Sequence, residues 1–198
     1  PERVRQVLGL PLGLTSRLEH YPTTAGQRIE AFAYSYAANG NPYISTEATT
    51  VDYQNPGQPT MAAAQTLDTF GNVLSKKVYD YGYTGSNTPI RTYTSTYKTD
   101  ASYLNLGIGS LLATSSVADA GGNSTTLVQN TYDGGAPAAA PAGTPNHDPN
   151  YGTGALYRGL VTTRVTPGDT VTQQTTTMGY DTTGMVRSST NGATQVQI

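Results

Sequence analysis

Hydrophobic and polar residues alternate with a period of two along much of the chain. Tyrosines fall two apart at Tyr79, Tyr81 and Tyr83, and valines alternate with polar residues over 161–165. Successive side chains of a strand point to opposite faces, so this spacing predicts β-strands. Clusters of glycine, proline and asparagine separate the strand patterns and predict tight turns between them. Helical propensity extends beyond one turn only over 61–67.

A five-residue turn motif recurs at 68–72 (DTFGN), 119–123 (DAGGN) and 181–185 (DTTGM). Aspartate in the first position of a type I turn can accept hydrogen bonds from the backbone N–H groups that follow. Glycine in the fourth position supplies the positive φ that closes the turn. Each copy therefore predicts a hairpin, and the residues assigned to these turns are Asp68, Gly71, Asp119, Gly122, Asp181 and Gly184. An isolated hairpin is marginal in water, so neighbouring copies must stabilise one another.

A second element precedes the turns, namely a short Gly-Leu turn that leads into a threonine-rich strand. It occurs at 7–16 (VLGLPLGLTS), 104–114 (LNLGIGSLLAT) and 157–163 (YRGLVTT). By contrast, residues 134–150 (GGAPAAAPAGTPNHDPN) are rich in proline, alanine and glycine and have no periodicity. This segment is predicted to be an exposed loop or linker. Strand patterns continue on both sides of it, so we expect a single β domain over residues 1–198.

Composition narrows the class of protein. Charged residues make up 12% of the chain, against about a quarter in typical domains, while 33 threonines and 15 tyrosines favour strands. This composition excludes a coiled coil and a helical bundle, and the absence of cysteine excludes disulfides and thiol catalysis. With a net charge of −2 and no basic patch, no nucleic-acid partner is expected. No apolar run approaches the about 20 residues of a membrane helix, so no membrane span is expected.

These motifs resemble the RHS, or YD-repeat, family. The Tyr-Asp-x-x-Gly core of that family is matched by 180–184 (YDTTG), and 67–73 (LDTFGNV) is a close variant with Leu67 in place of tyrosine. The Gly-Leu elements at 9–11 (GLP) and 158–160 (RGL) are similar to the linkers of the family. The resemblance covers most of the chain, in about four degenerate units, and its specificity comes from the recurrence of the two motifs together.

The resemblance implies an all-β fold of mostly antiparallel, irregular hairpin repeats that form a curved or spiral sheet. In bacterial RHS proteins, insecticidal toxin complexes and teneurins, such sheets build a hollow shell. In the bacterial proteins the shell encloses a C-terminal toxin, and in teneurins it serves cell-surface recognition. This chain is far shorter than a full shell and has no cleavage motif before a toxin. Together with its start at Pro1 without methionine, this predicts a fragment or a processed chain.

Candidate chemistry is sparse. His147 and Asp148 are adjacent, as in a pair that orients a catalytic base, but no nucleophile motif accompanies them. His20 precedes Tyr21 and is expected at a strand end. Calcium binding is an alternative role for the three turn aspartates, but hydrogen bonding within the turn explains their presence without an ion. We therefore expect no enzymatic activity, no cofactor and no metal.

Three functions remain open. The leading hypothesis is a structural segment of a secreted or cell-surface bacterial protein, which pairs through its sheet edges with neighbouring repeats or with copies of itself. The second is a surface adhesin that binds glycans through tyrosine faces. The tyrosines assigned to these faces, or alternatively to packing between strands, are Tyr79, Tyr81, Tyr83, Tyr93 and Tyr97. The third is a self-assembling extracellular fibre subunit.

Overall fold

The computed structural model is all-β, and the prediction of a mostly antiparallel β fold is confirmed. It describes residues 3–8, 13–21, 28–52, 57, 59–145, 148–168, 173–192 and 194–197. All ten strand pairs whose register is defined within these ranges are antiparallel. The paired strands are neighbours in chain order, from β1 to β7 and from β9 to β13.

The described strands are short, since all but the last have six to nine residues and the last has four. Their bounds are β1 Arg3–Leu8, β2 Thr15–Tyr21, β3 Arg28–Tyr36, β4 Pro42–Thr50, β5 Thr60–Leu67, β6 Val73–Tyr79, β7 Arg91–Tyr97, β8 Leu112–Asp119, β9 Ser124–Tyr132, β10 Val161–Thr166, β11 Gln174–Tyr180, β12 Val186–Asn191 and β13 Thr194–Gln197. The helical elements are a single turn, α1, at Ala101–Leu104 and a 3₁₀ turn at Pro149–Tyr151.

One local expectation from the sequence is wrong, and one local propensity is overridden. Residues 61–67, whose propensity is helical, lie in strand β5, because β5 pairs with β4 on one side and with β6 on the other. Tertiary pairing thus overrides the helical propensity of alanine. Strand β6 ends at Tyr79, so Tyr81 and Tyr83 lie beyond it and do not share a strand face with Tyr79.

The chain divides into two compact units. Unit 1 takes in the described residues of Pro1–Thr94 and Val117–Ser124. Its strands β1 to β6, and the first residues of β7, form a continuous antiparallel meander. Three of these pairings contain a register shift, which marks a bulge.

Unit 2 takes in the described residues of Ser95–Ser116 and Thr125–Ile198. Strands β9 to β13 form its meander, and α1 precedes β8. The long connection between β9 and β10 contains the 3₁₀ turn and one isolated parallel bridge, from Ala138 to Asp181.

Neither unit has a layered hydrophobic core among its described residues. The buried hydrophobic side chains are Ile29 and Ala62 in unit 1 and Tyr103 in unit 2. Large apolar side chains such as Met61 and Leu74 remain over a third exposed. A sheet normally buries one face against a second layer. Stability within each unit therefore depends heavily on strand pairing and on the hydrogen bonds of the turns.

Candidate functional site

The turn at Asp68 is closed by its own carboxylate. The backbone N–H groups of Phe70 and Asn72 donate to Asp68 Oδ1, each at 2.9 Å, and Asn72 Nδ2 donates to Oδ2 at 2.8 Å. The backbone N–H of Gly71 donates to the Asp68 carbonyl, and the Asp68 N–H donates to the Asn72 carbonyl. Burial raises the pKa of Asp68, but these bonds, led by that from the Asn72 side chain, lower it to a net value below the ordinary one.

The turn at Asp119 repeats this arrangement. The Asn123 N–H donates to Asp119 Oδ1 and Asn123 Nδ2 donates to Oδ2, both at 2.9 Å. The backbone bonds between positions one, four and five are also the same. The Asn123 side chain and backbone lower the pKa of Asp119. This turn is fully on the surface, because Asp119 and residues 120–123 are all exposed.

The turn at Asp181 has the same backbone bonds, but its aspartate and Thr182 are buried. The carboxylate is 0% exposed and accepts the N–H groups of Thr183 at 2.8 Å and of Met185 at 3.2 Å. Arg187 Nε donates to Oδ2 at 2.7 Å, and its Nη2 forms an ion pair with the same oxygen. The hydrogen bond from the Thr183 hydroxyl and then the Arg187 guanidinium lower the pKa of Asp181 to about 2.

The glycine of each turn has the same left-handed backbone. Gly71, Gly122 and Gly184 have φ of +84°, +85° and +83°. A type I turn followed by a left-handed residue is a standard three-residue hairpin loop, in which the left-handed residue forms a bulge. The Asp-x-x-Gly spacing thus matches the backbone that each hairpin adopts. In all three turns both carboxylate oxygens accept hydrogen bonds from the protein.

A fourth turn of this kind lies at 37–41 (AANGN), where sequence reasoning identified only a turn cluster. The Gly40 N–H donates to the Ala37 carbonyl, the Ala37 N–H donates to the Asn41 carbonyl, and Gly40 has φ +84°. Alanine replaces the first aspartate, and Asn39 Oδ1 accepts the Asn41 N–H instead, at 3.0 Å. The Gly-Asn pair in positions four and five, shared with 71–72 and 122–123, was the available signal.

Three tyrosine hydroxyls make an equivalent contact. Tyr34, Tyr132 and Tyr180 each donate to the carbonyl of the first residue of the preceding strand in the sheet. The accepting residues are Thr15 at 2.6 Å, Leu112 at 2.8 Å and Val161 at 2.8 Å. We call these contacts the tyrosine clasps. Burial raises the pKa of Tyr132 and of Tyr180.

In two of the tyrosine clasps the accepting carbonyl lies just after the glycine of a Gly-Leu element. Gly13 and Gly159 lie two residues before Thr15 and Val161, with φ of +67° and +73°. Each glycine therefore redirects the chain into a strand whose first carbonyl is then held by a tyrosine. The remainder of the first Gly-Leu element, at 9–12, lies outside the described residues.

Asp133 anchors the third Gly-Leu element, a contact that sequence reasoning missed. Its carboxylate accepts the backbone N–H groups of Arg158 at 2.9 Å, Gly159 at 2.8 Å and Leu160 at 3.0 Å. The Tyr103 hydroxyl also forms a hydrogen bond with this carboxylate. Burial, and then this hydrogen bond, raise the pKa of Tyr103. The carboxylate thus fixes both ends of the long β9–β10 connection at one point.

The described residues of 134–150 are mostly exposed, but part of the segment binds to the Asp181 turn. Pro137 is buried, the Ala138 N–H donates to the Tyr180 carbonyl, and the Thr182 N–H donates to the Ala138 carbonyl, both at 2.8 Å. Arg158 Nη1 donates to the Thr182 carbonyl at 2.6 Å. The turn is therefore held from outside as well as by its own carboxylate.

The tyrosines proposed as a glycan surface are placed separately. Tyr79 and Tyr83 have ring centroids 4.8 Å apart with planes inclined by 51°, and Tyr81 is 53% exposed. Tyr93 and Tyr97 lie in β7 and are half-buried. The inclined planes of the first pair do not form one flat platform.

The histidines give no catalytic arrangement within the described residues. His20 is the penultimate residue of β2, and its Nε2 lies 3.7 Å from Glu30 Oε2. His147 lies outside the described residues. Across the described part of the chain, no group of three or more histidine, aspartate or glutamate side chains is placed to hold a metal ion. No helix there is long and apolar enough to cross a membrane.

An open cleft of about 440 Å³ lies in unit 2, beside the β9–β10 connection. Thr131, Pro137, Leu160 and Met178 are among its lining residues. Asp133 and Arg158 also line it, but both side chains are bonded to backbone groups of the protein. The cleft therefore presents mainly neutral hydroxyl and apolar groups.

Removing a hydroxyl from a tyrosine clasp should destabilise the sheet without creating a large cavity. We expect Tyr180→Phe to lower the free energy of unfolding by about 1 kcal/mol, because the Val161 carbonyl loses the hydroxyl that donates to it. Tyr132→Phe should have a smaller effect, because Asn130 Nδ2 also donates to the Leu112 carbonyl, at 3.0 Å. Tyr81→Phe, which alters an exposed ring, is the control and should leave the denaturation midpoint unchanged. Equal effects of all three substitutions would show that the clasps contribute nothing specific.

Neither a scan against protein-family models nor a search of curated proteins found a match to this chain.

Proposed function

We propose that this chain is a non-enzymatic structural segment of an RHS/YD-repeat protein, secreted by or displayed on the surface of a bacterium. In this proposal each hairpin is one degenerate repeat, and the repeats extend a β-sheet that belongs to a larger wall or shell. Such a segment acts mechanically, since it holds strands in register and presents a neutral, threonine-rich surface.

The observation that carries the proposal is the recurrence of one hydrogen-bonded turn. Asp68, Asp119 and Asp181 share the backbone bonds between positions one, four and five and the bond from the position-five N–H to the carboxylate, and the backbone part recurs at 37–41. A hairpin unit that repeats its detailed bonding, and not only its sequence, is what a repeat architecture requires. The tyrosine clasps support the same interpretation, since in each of them the donor follows its acceptor by 19 or 20 residues.

The absence of a layered core within each unit also favours a structural segment. A meander with few buried apolar side chains gains stability when further strands pair with its ends. The outermost strands of the order, β1 and β13, are the positions at which neighbouring repeats would continue the sheet. The partners proposed are therefore adjacent repeats or other copies that pair at the sheet edges.

A glycan-binding adhesin is a second candidate, favoured by one observation. Tyr81 is exposed and lies close in sequence to the ring pair of Tyr79 and Tyr83. A single exposed ring can stack on a sugar, even though the paired rings are inclined. Binding on a glycan array that disappears in a folded Tyr81→Ala variant would favour this candidate.

The proposal is tested by the intact mass of the polypeptide in which this sequence occurs naturally. We expect a mass several times 20.8 kDa, because a sheet of this kind needs many repeats. A natural polypeptide close to 20.8 kDa would contradict the structural-segment proposal and would favour a small adhesin.

A further inference from the structure

Strands β4 to β7 of unit 1 present two faces of different character. The register Ala48–Ala62–Tyr79 and the register Ala64–Lys77–Thr92 define one face, on which small residues predominate. Side chains alternate along a strand, so the intervening residues define the opposite face. That opposite face carries longer side chains and both signs of charge, and we call it the mixed-charge face.

The first row of side chains across the mixed-charge face has an acidic residue at one end, a basic residue at the other, and two apolar residues between them. Glu47 pairs with Ala63, Ala63 with Val78, and Val78 with Arg91. Glu47 and Arg91 are exposed at the two ends of the row, while Ala63 and Val78 are half-buried between them. With strands about 4.8 Å apart, the two charged residues are separated by roughly 14 Å, which is too far for them to pair within one chain.

The second row has an apolar residue at one end, an aromatic residue at the other, and a glutamine and a lysine between them. Gln65 pairs with Lys76, and Lys76 pairs with Tyr93. Ile44 stands at the other end of the row, where its carbonyl accepts a 2.8 Å bond from Gln65 Nε2. Ile44 is 37% exposed and Tyr93 is half-buried, so the row has an apolar group at each end.

Ala63 lies between two hollows of this face. One hollow, of about 70 Å³, is lined by Ile44, Gln65 and Lys76, and the other, of about 220 Å³, by Met61 and Val78. Glu47 and Ala63 line both. The short side chain of Ala63 thus leaves space that a branched side chain from outside could fill.

We propose that the mixed-charge face binds a second copy of this chain face to face, through a two-fold axis parallel to the strands between β5 and β6. Such an axis places β4 of one copy opposite β7 of the other. Glu47 then faces Arg91 of the second copy, and Val78 enters the hollow at Ala63. In the second row Ile44 faces Tyr93, and Gln65 faces Lys76. Both rows are therefore complementary to themselves, as an isologous interface requires.

The size of the face suits a stable contact. Four strands of about seven residues cover roughly 19 Å by 23 Å, which gives a little over 400 Å² on each copy before side-chain relief is counted. Two such faces approach the about 1,000 Å² of total buried surface that a specific interface needs. Packing of two sheets face to face would also give unit 1 the second layer that its described residues lack.

The test is sedimentation equilibrium of the full 198-residue chain and of charge-reversed variants. We expect the unaltered chain to be dimeric at tens of micromolar. Arg91→Glu places two carboxylates opposite each other at both ends of the row, and should weaken dimerisation about tenfold or more. The double reversal Glu47→Arg with Arg91→Glu should restore dimerisation to within about threefold of the unaltered chain. Lys77→Glu, on the opposite face, is the matched control and should leave dimerisation unchanged.

Circular dichroism of each variant establishes that the sheet is intact. A chain that stays monomeric at 100 µM would overturn the proposal, since the face would then serve another partner. A dimer that ignores Arg91→Glu, or that loses as much affinity with Lys77→Glu, would also overturn it by placing the contact elsewhere, for example at a sheet edge. The proposal uses one face of unit 1 and no property of the RHS family, so it stands or fails separately from the proposed function.

Discussion

Replacing Asp181 with alanine is expected to lower the free energy of unfolding by about 3 kcal/mol, as measured by urea denaturation followed by circular dichroism. The substitution removes a buried carboxylate and leaves the N–H groups of Thr183 and Met185 without an acceptor. It also leaves the Arg187 guanidinium without its carboxylate partner. Breaking a buried, hydrogen-bonded ion pair costs about 3–5 kcal/mol, and the partial exposure of Arg187 places this case at the lower end.

Asp119→Ala is the matched control, because Asp119 has the same place in the same turn but is exposed. Water can replace the lost acceptor there, so its effect should be much smaller than that of Asp181→Ala. Equal losses for the two substitutions would contradict the account, since burial would then make no difference to the turn.

The stability of the protein should also depend on pH through the Asp181 carboxylate. The pKa of Asp181 is lowered from 3.8 to about 2, so the folded state favours the charged form. The resulting stabilisation is present above pH 3.8 and is lost as the pH falls towards 2. We expect the urea midpoint to fall between pH 4 and pH 2, and to fall less steeply in Asp181→Asn. Parallel pH profiles for the two proteins would contradict this assignment.

Asp133→Ala is expected to have the second large effect, a loss of about 3 kcal/mol in the free energy of unfolding. Three backbone N–H groups, from Arg158 to Leu160, lose the charged acceptor that fixes the end of the β9–β10 connection. Hydrogen bonds to charged groups contribute more than neutral ones, and donors left unpaired add a desolvation cost. Limited proteolysis should also become faster within 141–154.

Asp80→Ala provides the comparison for this prediction. Asp80 also follows a tyrosine at a strand end, but it is exposed and its carboxylate accepts the N–H of Tyr81 at 2.8 Å. We expect no measurable shift of the urea midpoint. If Asp80→Ala lowered stability as much as Asp133→Ala, the hydrogen bonds from the Gly-Leu element to Asp133 would not explain the loss of stability.

Local rules were sufficient for the all-β class and for the positions of the three aspartate turns. Aspartate and glycine three residues apart specify backbone bonds within five residues, so their geometry depends little on the rest of the chain. The turn at 37–41 was missed as a copy because Ala37 carries no carboxylate, although Gly40 keeps the decisive conformation. The strand over 60–67 was missed because pairing with two neighbours, and not local propensity, determines it.

The contacts that join distant segments could not be predicted from the sequence. Asp133 and Gly159 are 26 residues apart, and no periodic pattern relates them. The same holds for Ala138, whose N–H binds the Tyr180 carbonyl, in a segment whose composition indicated only an exposed loop. In each tyrosine clasp the donor and the acceptor are 19 or 20 residues apart. The occurrence of tyrosine near a strand end does not by itself specify which carbonyl its hydroxyl reaches.

The central claim is that one hydrogen-bonded turn recurs along the chain, and native-state amide hydrogen exchange tests it most directly. The N–H groups of Asn72, Asn123 and Met185 occupy position five and each donates to a carboxylate. We predict that all three exchange at least about tenfold more slowly than in an unfolded chain, even in the exposed turn at Asp119. Exchange of the Asn123 amide at the unfolded rate, with protection only of the Met185 amide beside the buried Asp181 carboxylate, would contradict a shared turn and with it the repeat architecture.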